Sequence, residues 1–197
     1  MNNLLIGTGG WIAIGVIALI VVLAIILVCW AISVRNNFVR MKNRSEEAFA
    51  TIDVYLKKRF DLIPNLVETV KGYAKHESET LEKVIEARNK AIDASTTSEK
   101  IEADANLSNA IKSINVVAER YPELKANANF LDLSNQLKSI ESELASARKY
   151  YNGTVKSFNT DKDIFPKSVI ANFMHLEKMP YFELDSEEER KNVSVKF

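Results

Sequence analysis

Two histidines, one cysteine and a scatter of arginines, asparagines and carboxylates are the chemical means of this 197-residue chain. The run His76-Glu77-Ser78-Glu79-Thr80 opens like the H-E-x-x-H helix of zinc hydrolases, which sets two imidazoles on one helix face. Here the second position is Thr80, and the other histidine, His175, lies far down the chain. Both read as solvated helix-end histidines, and no metal or other cofactor is expected. Cys29 has no second Cys or His nearby to activate it or to pair with it. The bulky Ile26-Leu27-Val28 before it also disfavours lipoprotein acylation, so it is expected to be a buried membrane thiol. The glycines of Gly7-Thr8-Gly9-Gly10 lack the lysine and the preceding strand of a phosphate loop and read as a flexible N-terminal cap. Glu46-Glu47 and Glu187-Glu188-Glu189 read as solvated faces rather than an acid–base pair. The chain is therefore expected not to be an enzyme.

What remains unusual is a set of polar residues bordering apolar stripes: Arg59, Asp61, Asn65, Arg88, Asn89, Glu141, Arg148, Asn152 and Asn159. Polar groups on inner faces cost a few kcal/mol each unless paired, so several together require a satisfied network. Two readings stand. The weightier is a network that fixes helix register, as a buried Asn does in coiled coils. The other is a pocket in which Arg59, Arg88 and Arg148 converge on a small anion.

The elements that would carry these residues begin with the N-terminus. All 26 basic and 26 acidic residues lie beyond residue 34. Residues 11–34 form an apolar run about 36 Å long as a helix, against a hydrocarbon core of about 30 Å. The run is too long for a signal peptide and has no basic residue before it. It predicts a single-pass membrane helix, with Trp11 and Trp30 near its ends suited to interfacial anchoring. Arg35, Arg40, Lys42 and Arg44 follow it, which favours an outside N-terminus and a cytoplasmic main domain over the opposite orientation. Balanced charge beyond the span gives no basic face for nucleic acid.

Beyond residue 34 the periodicity is helical. Phe38, Met41, Ala48, Ile52, Tyr55, Leu62, Leu66, Val70 and Tyr73 make one stripe. Phe130, Leu133, Leu137, Ile140, Leu144, Ala147, Tyr151, Val155 and Phe158 make another. Two shorter helices are expected between them. One covers about residues 79–94, with Leu81, Val84, Ile85 and Ala91; the other starts at Ser98 and runs to Arg120. Tyr121-Pro122 ends the latter, because the residue before proline is pushed out of the α region. A short helix over about 165–178, with Pro166 in its first turn, is stopped by Met179-Pro180. With no Gly, Ser or Pro in the ten residues after Val34 and only Ser45 just beyond them, the membrane helix is expected to run on into the first long helix. Pro64 within that helix predicts a kink near 60–64 rather than an end, since Leu66, Val70 and Tyr73 keep the stripe. The freed carbonyl of Phe60 would then be met by water or by a neighbouring Arg or Asn.

The predicted fold class is all-α: an N-terminal transmembrane helix followed by an antiparallel four-helix bundle with long first and last helices. The expected organisation is a short tail over 1–10, the span over 11–34, the bundle over 35–180 and a C-terminal tail over 181–197.

Several motifs in this frame are similar to the LemA family. They are the run Arg-Phe-Asp-Leu-Ile-Pro-Asn-Leu-Val-Glu over 59–68, Ala87-Arg88-Asn89, Tyr121-Pro122-Glu123-Leu124-Lys125-Ala126-Asn127, Tyr151-Asn152, Phe158-Asn159, Phe165-Pro166 and Tyr181-Phe182-Glu183. The resemblance covers nearly the whole chain. It departs from the family at Phe158-Asn159, where a second Tyr-Asn is commoner, and at Lys57-Lys58 before Arg59. The resemblance implies a bacterial membrane protein with a short outer end, one span and an antiparallel four-helix bundle, and it suggests membrane organisation.

The expected function is a membrane-anchored helical scaffold or adaptor, presenting its bundle or its tail to a protein partner. A sensor of a small anionic ligand and a self-assembling membrane-organising protein are the alternatives. The alternating Val193, Val195 and Phe197 could add a strand to a partner. The competing and slightly favoured reading of the tail is that Tyr181, Phe182 and the terminal residues fold back onto the bundle.

Overall fold

The computed structural model describes residues 8–182. The terminal residues Val193, Val195 and Phe197, expected as a recognition tail, lie outside the described residues. The chain is all-helical, with no strand among the described residues. The helices are α1 (Thr8–Tyr73), α2 (Ser78–Asp93), α3 (Thr97–Arg120), α4 (Pro122–Lys125), α5 (Ala128–Asp163) and α6 (Lys167–Phe173).

One continuous helix of 66 residues holds both the apolar run and the first amphipathic stripe. Its N-terminal part includes a strongly apolar window of 18 residues, none of which is buried, so it is long and apolar enough to cross a membrane. A core helix of a soluble protein would be covered; this one leaves its leucines, isoleucines and valines exposed.

Pro64 does not end α1. Its missing amide would have bonded the carbonyl of Phe60. That oxygen instead accepts from Arg88 Nε of α2 at 2.8 Å. Arg88→Met should therefore lower stability by about 1–3 kcal/mol, the cost of stranding a half-buried acceptor. In a Pro64→Ala background the restored amide makes Arg88 redundant, and the same substitution should cost much less. A double-mutant cycle by urea unfolding reads this coupling; additive effects would show that Arg88 does not stand in for the proline's lost donor.

Helix ends explain two departures from the sequence expectations. The start of α3 is set by Thr96, not Ser98. The Thr96 hydroxyl accepts from the Glu99 amide at 3.2 Å, and the Glu99 carboxylate accepts from the amides of Thr96 and Ser95 at 3.0 and 2.9 Å. This is the capping-box spacing, and those donors lower the Glu99 carboxyl to about 2. The last short helix ends at Phe173 rather than near residue 178, because His175 takes the left-handed conformation with φ 50°. The amide of Leu176 returns to the Ala171 carbonyl and that of His175 to Asn172, the paired bonds of a Schellman cap. His175 is thus a helix stop, a position where histidine is enriched among non-glycine residues.

The contacts divide the described chain into two compact units, each taking a stretch of α1 and of α5. The first comprises 8–43 and Ser157–Lys178. Phe38 and Phe158 meet edge-on with centroids 5.9 Å apart, and Val34 and Ala171 are also buried. The second comprises Arg44–Lys156 and 179–182, and holds two clusters. Ile63, Leu66 and Val70 of α1 pack with Leu81 and Val84, Ile114 and Val117, Leu124, and Phe130 and Leu137. Ala48, Ile52 and Leu56 pack with Leu144, Tyr151, Val155 and Phe182. Each fully buried Leu, Ile, Val or Phe contributes about 1.5–3 kcal/mol.

Candidate functional site

The second unit carries a ring of charge that is buried at Arg59 and Asp104 and partly exposed at Arg148 and Glu141. Arg59 of α1 is 6% exposed at its side chain, and Asp104 of α3 is 4% exposed. Arg59 Nη1 donates to Asp104 Oδ1 and to Ser108 Oγ, both at 3.0 Å, and lies 3.3 Å from Glu141 Oε2. Arg148 donates through Nη2 to Asp104 Oδ2 and through Nη1 to Glu141 Oε1 at 3.0 Å. Each carboxylate thus bridges both guanidiniums, and the ring closes. Glu141 and Arg148 are seven residues apart, two helical turns, so one face of α5 offers both. Burial pushes the Asp104 carboxyl up, against the pull of Arg148 and Arg59, with Glu141 adding to the rise.

Beside the ring lies a second arrangement. Asn152 reads the backbone of Phe182 twice: its Nδ2 donates to the Phe182 carbonyl at 2.8 Å, and its Oδ1 accepts from the Phe182 amide at 2.9 Å. Tyr151 donates its hydroxyl to the Pro180 carbonyl at 2.9 Å. The Phe182 ring lies against Phe49 and Tyr151, centroids 6.0 and 5.8 Å away, with the Arg148 guanidinium 5.6 Å over it. Residues 179–182 therefore lie on the helical surface as a strap, with backbone and side chain both engaged. Burial of the Tyr151 phenol pushes it up to about 12, so it stays a donor throughout the physiological range.

Ring and strap together border a groove of about 690 Å³ between α3 and α5. Arg59, Asp104, Glu141 and Arg148 lie in its lining with Leu66, Leu137 and Ile111, and Phe182 lies at its margin. Lys112, Lys138 and Lys149 add charge, making five basic side chains against two carboxylates. Among the described residues no group of three or more His, Cys, Asp or Glu could hold a metal ion.

Of the nine polar residues singled out from the sequence, the structure brings Arg59, Glu141, Arg148 and Asn152 to this groove. Arg88 serves the Phe60 carbonyl instead, and Asn89 is exposed beside it, accepting from Arg88 Nη1 at 3.3 Å. Asp61 and Asn65 do not turn toward neighbouring helices as expected. Asp61 is two residues past Arg59, about 200° round the helix, and pairs with Lys57 in solvent at 3.2 Å. Asn65 is exposed as well. Asn159 is buried in the first unit. Asp104 and Ser108 were missed. A signal existed, since Asp104 is three residues before Leu107 and seven before Ile111, an acid on an apolar stripe.

A family model described as the LemA family matches residues 48–197. Protein LemA of Metamycoplasma hominis is 28% identical over 163 residues, covering 82% of this chain and 74% of that protein. Magnetosome proteins MamQ 1 and MamQ 2 of Paramagnetospirillum magneticum are each 21% identical over 174 residues, 75% of this chain. The chain spans 64% of the length of each magnetosome protein.

Proposed function

This chain belongs to the LemA family, and from that premise we propose that it is a membrane-anchored, non-enzymatic scaffold whose groove between α3 and α5 receives an extended segment of a protein partner. The observation that carries this reading is the Asn152–Phe182 clamp, because it is a peptide-recognition contact already made by the chain's own backbone. A side-chain amide that satisfies both the donor and the acceptor of one residue holds any extended segment, whatever its side chain. An adjoining pocket and a lysine rim would then add selectivity.

Residues 11–34 serve as a single-span anchor in this proposal, with the N-terminus outside and the second unit cytoplasmic, on the strength of Arg35, Arg40, Lys42 and Arg44. The second unit is an antiparallel four-helix bundle. Residue order along the contacts supports this: Arg44 meets Tyr150, Tyr55 meets Glu143 and Tyr73 meets Asn127, so α1 and α5 run oppositely. Asp53 meets Lys100 and Arg59 meets Asp104, so α1 and α3 run together. Phe60 meets Arg88 and Glu77 meets Arg120, which places α2 against both in the reverse sense.

An anion seated on the arginines is the weaker reading, since Arg59 and Arg148 are already neutralised by Asp104 and Glu141 and Arg88 is engaged elsewhere. Self-assembly that organises a membrane has the likeness to two magnetosome proteins in its favour. Photo-crosslinking separates these. A benzophenone residue placed at Lys112 or Lys138 of the full chain in native membranes should give a discrete adduct with another protein, while the same residue at Lys71 or Glu82 gives none. Adducts equally abundant from all four positions would sink the groove as the docking site; adducts only between copies of this chain would favour self-assembly.

A further inference from the structure

The first unit leaves an apolar face uncovered where water would be expected to meet charge. Phe165 is 78% and Phe173 84% exposed, and Ile164 and Val169 are more than half exposed. Single exposed apolar residues are ordinary, but four within residues 164–173 make a patch. Val169 and Phe173, one turn apart, share a face of α6, while the fully buried Ala171 lies about 200° round from each. The helix therefore packs by its small side and presents its large one.

The position of this face along α1 indicates what covers it. Phe38 meets Phe158, and Asn37 Nδ2 donates to Asp161 Oδ2 at 3.2 Å. Residue numbers fall along α1 as they rise along α5. The end of α5 at Asp163, and Ile164 and Phe165 after it, thus come level with Val34 and Arg35, where the uncharged stretch of α1 ends. Val34 is buried and Ala31 half-buried, so protein packing reaches that level. Arg35 and Arg40 are exposed next to it and suit anionic headgroups.

We infer that Phe165, Val169 and Phe173 form an interfacial seat that dips into the lipid headgroup and upper acyl region beside the span. Aromatic side chains suit that depth, and an amphipathic helix lying in the interface buries its apolar face by about 5–10 Å. The lipid surface is thus the partner of this face, and the face adds a second attachment to the one made by α1. This rests on the reading that residues 11–34 cross a membrane.

The test uses the full chain with Cys29→Ser, carrying a fluorophore at Phe165→Cys, Phe173→Cys, Val22→Cys or Glu82→Cys, in phosphatidylcholine–phosphatidylglycerol vesicles. All four positions are exposed, so labelling removes no core packing. A nitroxide placed high on the acyl chain should quench the labels at 165 and 173 by about half, the depth expected of an interfacial helix, and leave position 82 nearly untouched. A nitroxide near the bilayer centre should quench the label at position 22. If 165 and 173 are quenched no more than 82 while 22 is quenched, the seat is overturned and the span stands. If 22 also escapes, both fall together. A label at 173 with blue-shifted emission but no quenching would mean that protein covers the face, and would overturn the proposal too.

Discussion

Asp104→Ala lowers the unfolding free energy by about 3–5 kcal/mol, because it leaves the buried Arg59 and the half-buried Arg148 facing one partly exposed carboxylate. Asp104 is the only carboxylate of the ring with its side chain fully withdrawn from solvent, at 4% exposure against 45% for Glu141. Glu141 can reach water when its partners change; Asp104 cannot. Removing the acid therefore costs far more than the net value of the ion pairs it makes. Replacing the ring by apolar residues, Arg59→Met, Asp104→Leu and Arg148→Met together, should recover most of the loss, since paired burial of charge and apolar burial come out nearly even. Urea unfolding followed by circular dichroism measures both. A loss below about 1 kcal/mol for Asp104→Ala would mean that water reaches the arginines and that the ring is not a closed unit.

Phe182→Ala has the second largest effect, a loss of about 3 kcal/mol, in the lower range for truncating a buried Phe. The ring is one of three aromatics in mutual contact and also carries the Arg148 guanidinium on its face. Asn152→Ala should cost about 1–3 kcal/mol by stranding the backbone groups of Phe182. The double variant should lose less than the sum, because either change alone frees the segment that both hold. Additive losses would show that clamp and ring do not act on one strap. The strap also sets an alkaline limit. The Tyr151 phenol stands near 12 in the folded chain and 10 when unfolded, so the unfolded chain releases its proton first. Stability contributed by this group is present below pH 10 and is lost as pH rises toward 12. Tyr151→Phe should flatten that part of the alkaline unfolding profile relative to the parent chain.

The elements were legible in the sequence because each depends on neighbours a few residues away. The apolar run, the stripes of α1 and α5, and the stop at Tyr121-Pro122 follow from a period of 3.6 and from the amide that proline lacks. Local rules also held the answers that were misread. Thr96 and Glu99 stand at capping-box spacing, although the expected start of α3 was Ser98. That α1 continues past Pro64, and that the Phe60 carbonyl needs another donor, followed from the sequence; that the donor is Arg88 became visible only with α2 in place.

The pairing of charges was not legible. Arg59, Glu141 and Arg148 were identifiable as polar residues beside apolar stripes, yet Asp61 and Asn65 satisfied the same description and face solvent. Two residues along a helix turn the side chain about 200°, so proximity in sequence predicts opposite faces as readily as shared ones. The acid that completes the ring, Asp104, is 45 residues from Arg59 and 44 from Arg148. The sequence alone determined the main helices and a stretch able to cross a membrane, because those depend on local composition and periodicity. Which polar groups meet across the helices, and that Phe182 is held by Asn152, only the tertiary structure decided. Rotation of one helix against another is set by the packing of whole faces, and no short stretch of sequence encodes that angle.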